Sequence, residues 1–399
     1  MTVQGAWQRA ARGALLLDDD GTARTTIFAE MSALAASTGS INLGQGFPDY
    51  PGPVEVTDAA QREIANGNNQ YPPGRGMAVL REAIAEHQKR FYGLVVDPDT
   101  EVLVTAGATE ALSAAILALV EPGDEVLTFE PFYDEYGAVI GLADGIHTTV
   151  RLRSPDFAPD HDDLRAAVTD RTRLIIVNTP HNPTGAVFDR ETLQLIVELA
   201  ERHDALIVTD EVYEHLHYDG STHTPIATLP GAAERTITIS SGGKTFNTTG
   251  WKIGWVIATA PLISAIVAVK QFLTYVNGAP FQPAIAAGLQ LPDAFYRDLA
   301  SDLAGKRDLL AGGLRAAGFD ITLPRAGYFI VADAAPLGYD DGGAFCRALP
   351  ELAGVVAVPI SAFCLPGSAG QYGSLVRFAF CKRLEVLEQA SEQLARLSV

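Results

Sequence analysis

The chain has 399 residues, 47% hydrophobic and 19% charged, with 48 acidic against 29 basic residues for a formal net charge of -19. This is a globular balance in a chain long enough for two domains. The acidity comes without any lysine–arginine run, which excludes nucleic acid and anionic membrane surfaces as partners, because phosphate-rich surfaces are bound through clustered cations.

In chain order, residues 1–45 show no clear strand and are expected to act as an arm. The apolar stretch at 14–17 runs straight into Asp18, Asp19 and Asp20, so it is neither a signal peptide nor a spanning helix, and no apolar run elsewhere approaches the roughly 20 residues a bilayer requires. Further on, short β-branched runs at 102–104, 125–129, 174–178, 205–209 and 236–240 alternate with helical patterns at 108–120, 161–168 and 191–203. In the first of these helices Ala108, Leu112, Ala115, Ile116 and Leu119 share one face, as a 3.6-residue period demands. Helices that separate apolar strands imply parallel strands joined by crossovers, hence an α/β layered domain. The C-terminal part differs. A charged helix at 294–316, short strands at 328–332, 355–358 and 375–380, and a terminal helix at 384–397 read as a smaller α+β domain. The expected division is 1–45 for the arm and part of the small domain, 46–285 for the large domain and 286–399 for the small C-terminal domain. Cys346, Cys364 and Cys381 are odd in number and lack metal-ligand spacing, so they are expected to be reduced, buried residues of a cytoplasmic protein with no metal site.

The polar residues of interest follow strands, where open α/β sheets bind ligands. Gly107, Ala108 and Thr109 follow the first strand and open a helix, whose free N–H groups suit a phosphate. Asn182, Pro183, Thr184 and Gly185 follow the third, Asp210 and Tyr213 the fourth, and Ser241, Gly242, Gly243 and Lys244 the fifth. Each alone has a plain reading: a turn at Asn182, a helix cap at Asp210, a solvated lysine at 244. An amide, an acid, a phenol and a lysine in this order and spacing are far more specific than any one of them.

These stretches, with Asn42-Leu43-Gly44-Gln45-Gly46-Phe47-Pro48, Asn69-Gln70-Tyr71, Gly250-Trp251-Lys252-Ile253-Gly254 and Val376-Arg377-Phe378, resemble the class I aminotransferases of fold type I over nearly the whole chain. Within that class the chain is similar to the kynurenine, glutamine and methionine group. It is most similar to the bacterial N-succinyldiaminopimelate aminotransferases, through phrases such as Asn69-Gln70-Tyr71-Pro72-Pro73-Gly74 and Ser361-Ala362-Phe363-Cys364. The resemblance implies an α/β fold: a large cofactor-binding domain with a mostly parallel central sheet between helices, plus a smaller α+β domain. It implies pyridoxal 5'-phosphate as cofactor, bonded to the amine of Lys244. Asp210 would pair with the ring nitrogen, Tyr213 and Asn182 with the phenolic oxygen, and Tyr133 would stack on the ring. The phosphate would lie on Gly107, Ala108 and Thr109, with Ser241, Lys252 and the Tyr71 of a neighbouring subunit in a homodimer. Many relatives carry arginine at the Lys252 position, so a point charge would replace a bidentate contact here. Arg377, Asn182 and Gly46 would hold the substrate's α-carboxylate.

The expected reaction moves an amino group between an L-amino acid, glutamate with 2-oxoglutarate, and a second keto acid. The expected acceptor is N-succinyl-2-amino-6-oxopimelate of lysine and diaminopimelate biosynthesis. Kynurenine, glutamine or methionine as substrate, and carbon–sulfur β-elimination on the same scaffold, stand as alternatives, with Arg24 and Arg75 as candidates for a distal carboxylate. A nucleotide-hydrolase phosphate loop at Gly243-Lys244-Thr245 fails because Thr238 stands where glycine is required, and a dinucleotide fingerprint at Gly44-Gln45-Gly46 fails at Asp49.

Overall fold

A computed structural model describes residues 3–398. Helices α1 (Trp7–Gly13) and α2 (Ile27–Thr38) lead into the two-residue strand β1 (Ile41–Asn42) and helices α3 (Val54–Ala65) and α4 (Ala78–Tyr92). The large sheet follows, built from β2 (Val102–Ala106), β3 (Glu125–Glu130), β4 (Ile146–Arg151), β5 (Thr172–Asn178), β6 (Leu206–Asp210), β7 (Thr236–Ser241) and β8 (Ile253–Ile257). Its spatial order is β2-β8-β7-β6-β5-β3-β4. Every neighbouring pair is parallel except those made by β8, which runs antiparallel to β2 and β7.

Interleaved with these strands are α5 (Gly107–Leu119), α6 (Asp134–Leu142), α7 (His161–Ala167), α8 (Arg190–Arg202) and α9 (Gly242–Thr245), with α10 (Ala260–Lys270) and α11 (Phe281–Leu289) after them. The link from β7 to β8 holds only the short α9 and a 3-10 turn. That is too little chain for a parallel crossover, so β8 reverses.

Successive side chains of a strand point to opposite faces, and both faces are covered. Leu103, Val126, Leu174, Ile176, Val208 and Ile239 pack with Ala111 and Ile116 of α5 and Ile263 of α10. The opposite phase, Leu127, Ile175, Val177 and Ile207, packs with Leu193, Ile196 and Val197 of α8. Val102, Val104 and Trp255 meet Val56 of α3, Ile84 of α4 and Ile285 of α11. Burial on both faces explains why these strands read as continuous apolar runs. The edge strand β4 carries polar residues and is only partly covered, and Gly254 interrupts β8, so neither stood out as an apolar run.

The remainder comprises α12 (Asp293–Ala316), β9 (Asp320–Thr322), β10 (Phe329–Asp333), α13 (Gly342–Ala353), β11 (Val355–Val356), β12 (Val358–Pro359), β13 (Leu375–Ala379) and α14 (Leu384–Leu394). Strands β12-β13-β10-β9 form an antiparallel sheet, while β11 pairs in parallel with β1. The expected α/β class, a mostly parallel sheet between helices plus a smaller α+β part, is therefore what the chain adopts. Two details differ. The single strand expected at 355–358 is divided between two sheets, and the arm expected to lack a strand supplies β1 to β11. No described helix is long and apolar enough to cross a membrane. All three cysteines are buried and unpaired.

The arm is fastened by glycine. A Cβ on Gly13 of α1 would stand 2.0 Å from the Gly137 carbonyl oxygen of α6, one on Gly137 2.3 Å from the Gly13 oxygen, and one on Gly141 2.5 Å from the Arg9 oxygen. Only bare backbone allows that approach. Gly137→Leu is expected to lift α1 off α6 at a cost of about 1–3 kcal/mol. It should appear as faster hydrogen exchange across residues 7–13 with β5–β7 unchanged, and unaltered protection of α1 would refute the contact.

Candidate active site

The C-terminal ends of β5, β6 and β7 lie side by side and deliver Asn178, Asp210 and Ser241 to one edge of the sheet, where β2 ends against α5. A cavity of about 200 Å³ opens there, lined by Gly107, Ala108, Thr109, Tyr133, Asn182, Asp210, Tyr213, Ser241, Lys244 and Lys252 among others. A second cavity of about 290 Å³ shares Tyr133, Asn182, Tyr213 and Lys244 with it and adds Gly46, Phe329 and Arg377. The residues expected to act together thus surround one continuous region, Tyr71 excepted.

At one end, Gly107 turns the chain with φ +74° and α5 begins, leaving its first N–H groups directed outward. Gly254 makes this cup possible, because a Cβ there would meet the Gly107 carbonyl carbon at 2.5 Å and the Ala108 nitrogen at 2.7 Å. Lys252 sits in the left-handed region with φ 54°, its carbonyl bonded by Asn277 at 2.7 Å, and its Nζ donates to Thr109 Oγ1 at 3.2 Å. Free N–H groups and an adjacent ammonium make an anion cradle.

Asp210 occupies the middle. Its Oδ2 accepts from the Tyr136 hydroxyl at 2.7 Å, and its backbone oxygen accepts from Asn178 Nδ2 at 2.9 Å. Asn178 Oδ1 in turn accepts from the Asn182 N–H at 2.7 Å, so one side chain ties the two strand ends together. No helix follows Asp210, which removes the simple capping role. Burial pushes its carboxyl up, opposed by the Tyr136 hydrogen bond.

Lys244 lies on the short helix α9, with Nζ 5.9 Å from the Tyr213 ring centroid and 5.6 Å from that of Tyr328. Burial lowers its pKa, while Cys381 and Asp210 oppose the shift. A larger share of neutral amine, the nucleophilic form, follows.

Arg377, on β13, is 1% exposed. Nη1 donates to Asn182 Oδ1 at 3.0 Å and Nη2 to the Gly44 oxygen at 2.8 Å, while Nε has no partner. The Phe329 ring centroid lies 4.0 Å from its guanidinium carbon. Burial lowers its pKa to about 10. A buried fork of donors with no ion-pair partner has the geometry that a carboxylate fits. Gly46 closes over this end, where a Cβ would meet Phe329 Cζ at 2.4 Å, and its carbonyl accepts from the Tyr328 hydroxyl at 2.8 Å.

Tyr71 is placed elsewhere: it is 81% exposed, edge-on to Tyr275 at 5.6 Å and outside both cavities. Arg75 donates to the carbonyls of Asp99 and Thr100, a local role. Arg24 pairs with Asp18 at 3.0 Å on the rim of a separate cavity. Three contributors were not foreseen. Tyr136 lies one helical turn beyond Tyr133, a spacing that could have revealed it. Asn178 was read only as a strand end, and Tyr328 only as the start of a strand.

A family model for aminotransferase class I and II matches residues 38–394. The chain is 54% identical over 383 residues to a probable N-succinyldiaminopimelate aminotransferase of Mycobacterium tuberculosis, covering 94% of this chain and 96% of that protein. It is 39% identical to a methionine aminotransferase of Escherichia coli, covering 94% and 96%. The solved structure of the N-succinyldiaminopimelate aminotransferase from Mycobacterium tuberculosis superposes with a TM-score of 0.93 at 51% identity, over 99% of this chain and 100% of that one.

An unpaired buried cation should weaken the fold. Arg377→Met is expected to raise stability towards urea by ~1 kcal/mol or more, since apolar replacement of buried charge is often stabilising. A loss of stability would show that the guanidinium holds the structure together rather than awaiting an anion.

Proposed function

The chain belongs to the class I and II aminotransferases, and on that premise we propose that its cavity holds pyridoxal 5'-phosphate and that its preferred keto acid is N-succinyl-2-amino-6-oxopimelate, with glutamate as amino donor. Transfer of amino groups between small molecules is the reaction of the family. The observation that carries the cofactor reading is the alignment of an anion cradle, a buried acid and a pKa-depressed lysine along one cavity. The cofactor, when bound, supplies an electron-withdrawing ring that makes the substrate's Cα–H acidic.

The chain's own groups do the rest. The Ala108 and Thr109 N–H groups, Ser241 and Lys252 would hold the phosphate. Asp210, fixed by Tyr136, would offer its carboxylate to the ring nitrogen, and Tyr213 and Asn182 would face the phenolic oxygen. Lys244 would hold the cofactor covalently and, once released, take the proton from Cα and return it on the other side of the exchange. Arg377 would bind the α-carboxylate of each substrate in turn, Asn182 holding one of its nitrogens. Both half-reactions use the same groups, which gives ping-pong kinetics.

The identity to the Mycobacterium relative supports the substrate assignment. The Escherichia coli relative and the mouse kynurenine–oxoglutarate transaminase 3, 38% identical, favour methionine or kynurenine as the second reading. A homodimer and a cytoplasmic location are part of the proposal. Exposed Tyr71, Phe272 and Tyr275 form an aromatic surface that a second subunit could cover, and the buried, unpaired cysteines suit a reducing compartment.

Lys244→Ala is expected to abolish covalent retention of the cofactor and to lower kcat by about 100-fold or more. Wild-type turnover in that variant would refute the assignment. A panel of donors and acceptors should give the highest kcat/KM with N-succinyl-diaminopimelate and 2-oxoglutarate, about tenfold or more above methionine and kynurenine. A methionine or kynurenine maximum selects the second reading, and pyruvate release from cystathionine would reveal elimination.

A further inference from the structure

A second cluster of titratable side chains lies behind the turn that carries Tyr213, outside both cavities of the active site. His87 comes from α4, whereas Glu214 and His215 follow Tyr213 directly along the chain. All three are buried, and Phe91 and Tyr296 close over the imidazoles, with ring centroids 4.8 Å from His87 and 4.3 Å from His215. The two Nε2 atoms stand 2.7 Å apart and share one proton, while Nδ1 of His87 reaches no partner. One nitrogen of each ring and a Glu214 oxygen all lie within 4.8 Å of one another. Both Glu214 oxygens accept from hydroxyls, Oε1 from Ser240 at 2.6 Å and Oε2 from Tyr92 at 2.7 Å, as those of an ionised carboxylate do. The other charges nearby are already matched: Glu211 has His223 at 2.8 Å, and Arg90 donates to Asp293 at 2.9 Å. Burial lowers the pKa of His87 and takes that of His215 down to about 3, so both rings are neutral and Glu214 has no cation beside it. A buried anion without a counter-charge is costly, and neutral imidazoles whose nitrogens converge are ligands for a divalent ion.

We propose that His87, Glu214 and His215 form a binding site for one divalent transition-metal ion, zinc by ligand type, which staples α4 to the turn bearing Tyr213. Imidazole and carboxylate together suit Zn2+. The ion stands where the shared proton is now. The ring that donates this proton carries it on Nδ1 instead, so both Nε2 lone pairs face the metal and no proton is lost. A tetrahedral ion with Zn–N of about 2.0–2.1 Å spans two nitrogens by about 3.3 Å, so the imidazoles part by about 0.6 Å and the carboxylate closes by about 1 Å. Each Glu214 oxygen has a second lone pair, so the Ser240 and Tyr92 bonds persist and orient the ligand. The site is closed and apart from the substrate region, which makes the role structural. No cysteine takes part, so cysteine spacing gave no sign of it.

The test is crystallography of the wild-type enzyme purified from cells grown with added Zn2+, using anomalous difference maps on either side of the zinc absorption edge, with metal analysis of the same preparation. One ion per chain is expected, its peak between His87 and His215. A preparation that holds no zinc, or whose peak lies on other residues, overturns the proposal. The map is taken on the wild type and so decides the matter even where a substitution fails to fold. In solution, His87→Gln is expected to lower zinc content about tenfold or more, with His215→Gln as an independent second variant. Zinc bound elsewhere on the molecule survives both substitutions, and unchanged content in a folded variant overturns the site.

Discussion

The guanidinium of Arg377 has almost no contact with water and still meets no carboxylate, its hydrogen bonds going to an amide oxygen and a peptide carbonyl. Asp210 and Lys244 are likewise desolvated, the first bonded by the Tyr136 hydroxyl and the second set beside the Tyr213 and Tyr328 rings. Leaving charge unpaired in a dry site costs several kcal/mol. The folded chain carries that cost because each group is mounted on an element whose packing is settled elsewhere. Arg377 projects from the middle of an antiparallel sheet, Asp210 from the end of a central parallel strand, and Lys244 from the tight link between two strands.

The sheet topology keeps them apart. Parallel strands end along one edge, so β5, β6 and β7 bring Asn178, Asp210 and Ser241 to a common level. The reversal of β8 then returns the chain past the head of α5, where Gly254 lets the two backbones touch and Lys252 turns towards Thr109. Position, more than chemical identity, makes these residues a site. The same lysine on an ordinary helix surface would be fully hydrated and cationic.

A family whose members exchange amino groups between different acids needs one constant recognition point and one variable region. Under the proposed function Arg377, hydrogen-bonded to Asn182, would be the constant point. A separate, larger cavity is lined by Arg24, Ile27 and Glu30 from the arm and by Asp341, Arg347 and Ser361 from the C-terminal part. Two of the cations there are already engaged, Arg24 with Asp18 and Arg347 with Glu30. The arm that lines this cavity is itself docked on α6, the helix that carries Tyr136, through the glycine contacts of α1.

Much of this was written in the linear chain. Apolar runs marked five of the seven strands of the large sheet within two residues at each end, because burial on both faces leaves a signal that needs no partner to interpret. The cluster of Asn182, Asp210, Tyr213 and Lys244 was legible because each follows a strand, and strand ends converge in any parallel sheet. What depends on distant neighbours was not. Edge strand β4 is half polar, β8 is interrupted by a glycine whose reason is the α5 backbone, and segment 355–358 divides because its two halves pair with β1 and β13. Tyr136, Asn178 and Tyr328 are two aromatics and an amide of no evident distinction until folding places them round Asp210 and Gly46. Local pattern determines elements and strand ends, whereas desolvation and orphaned hydrogen-bonding groups exist only once remote segments exclude water between them.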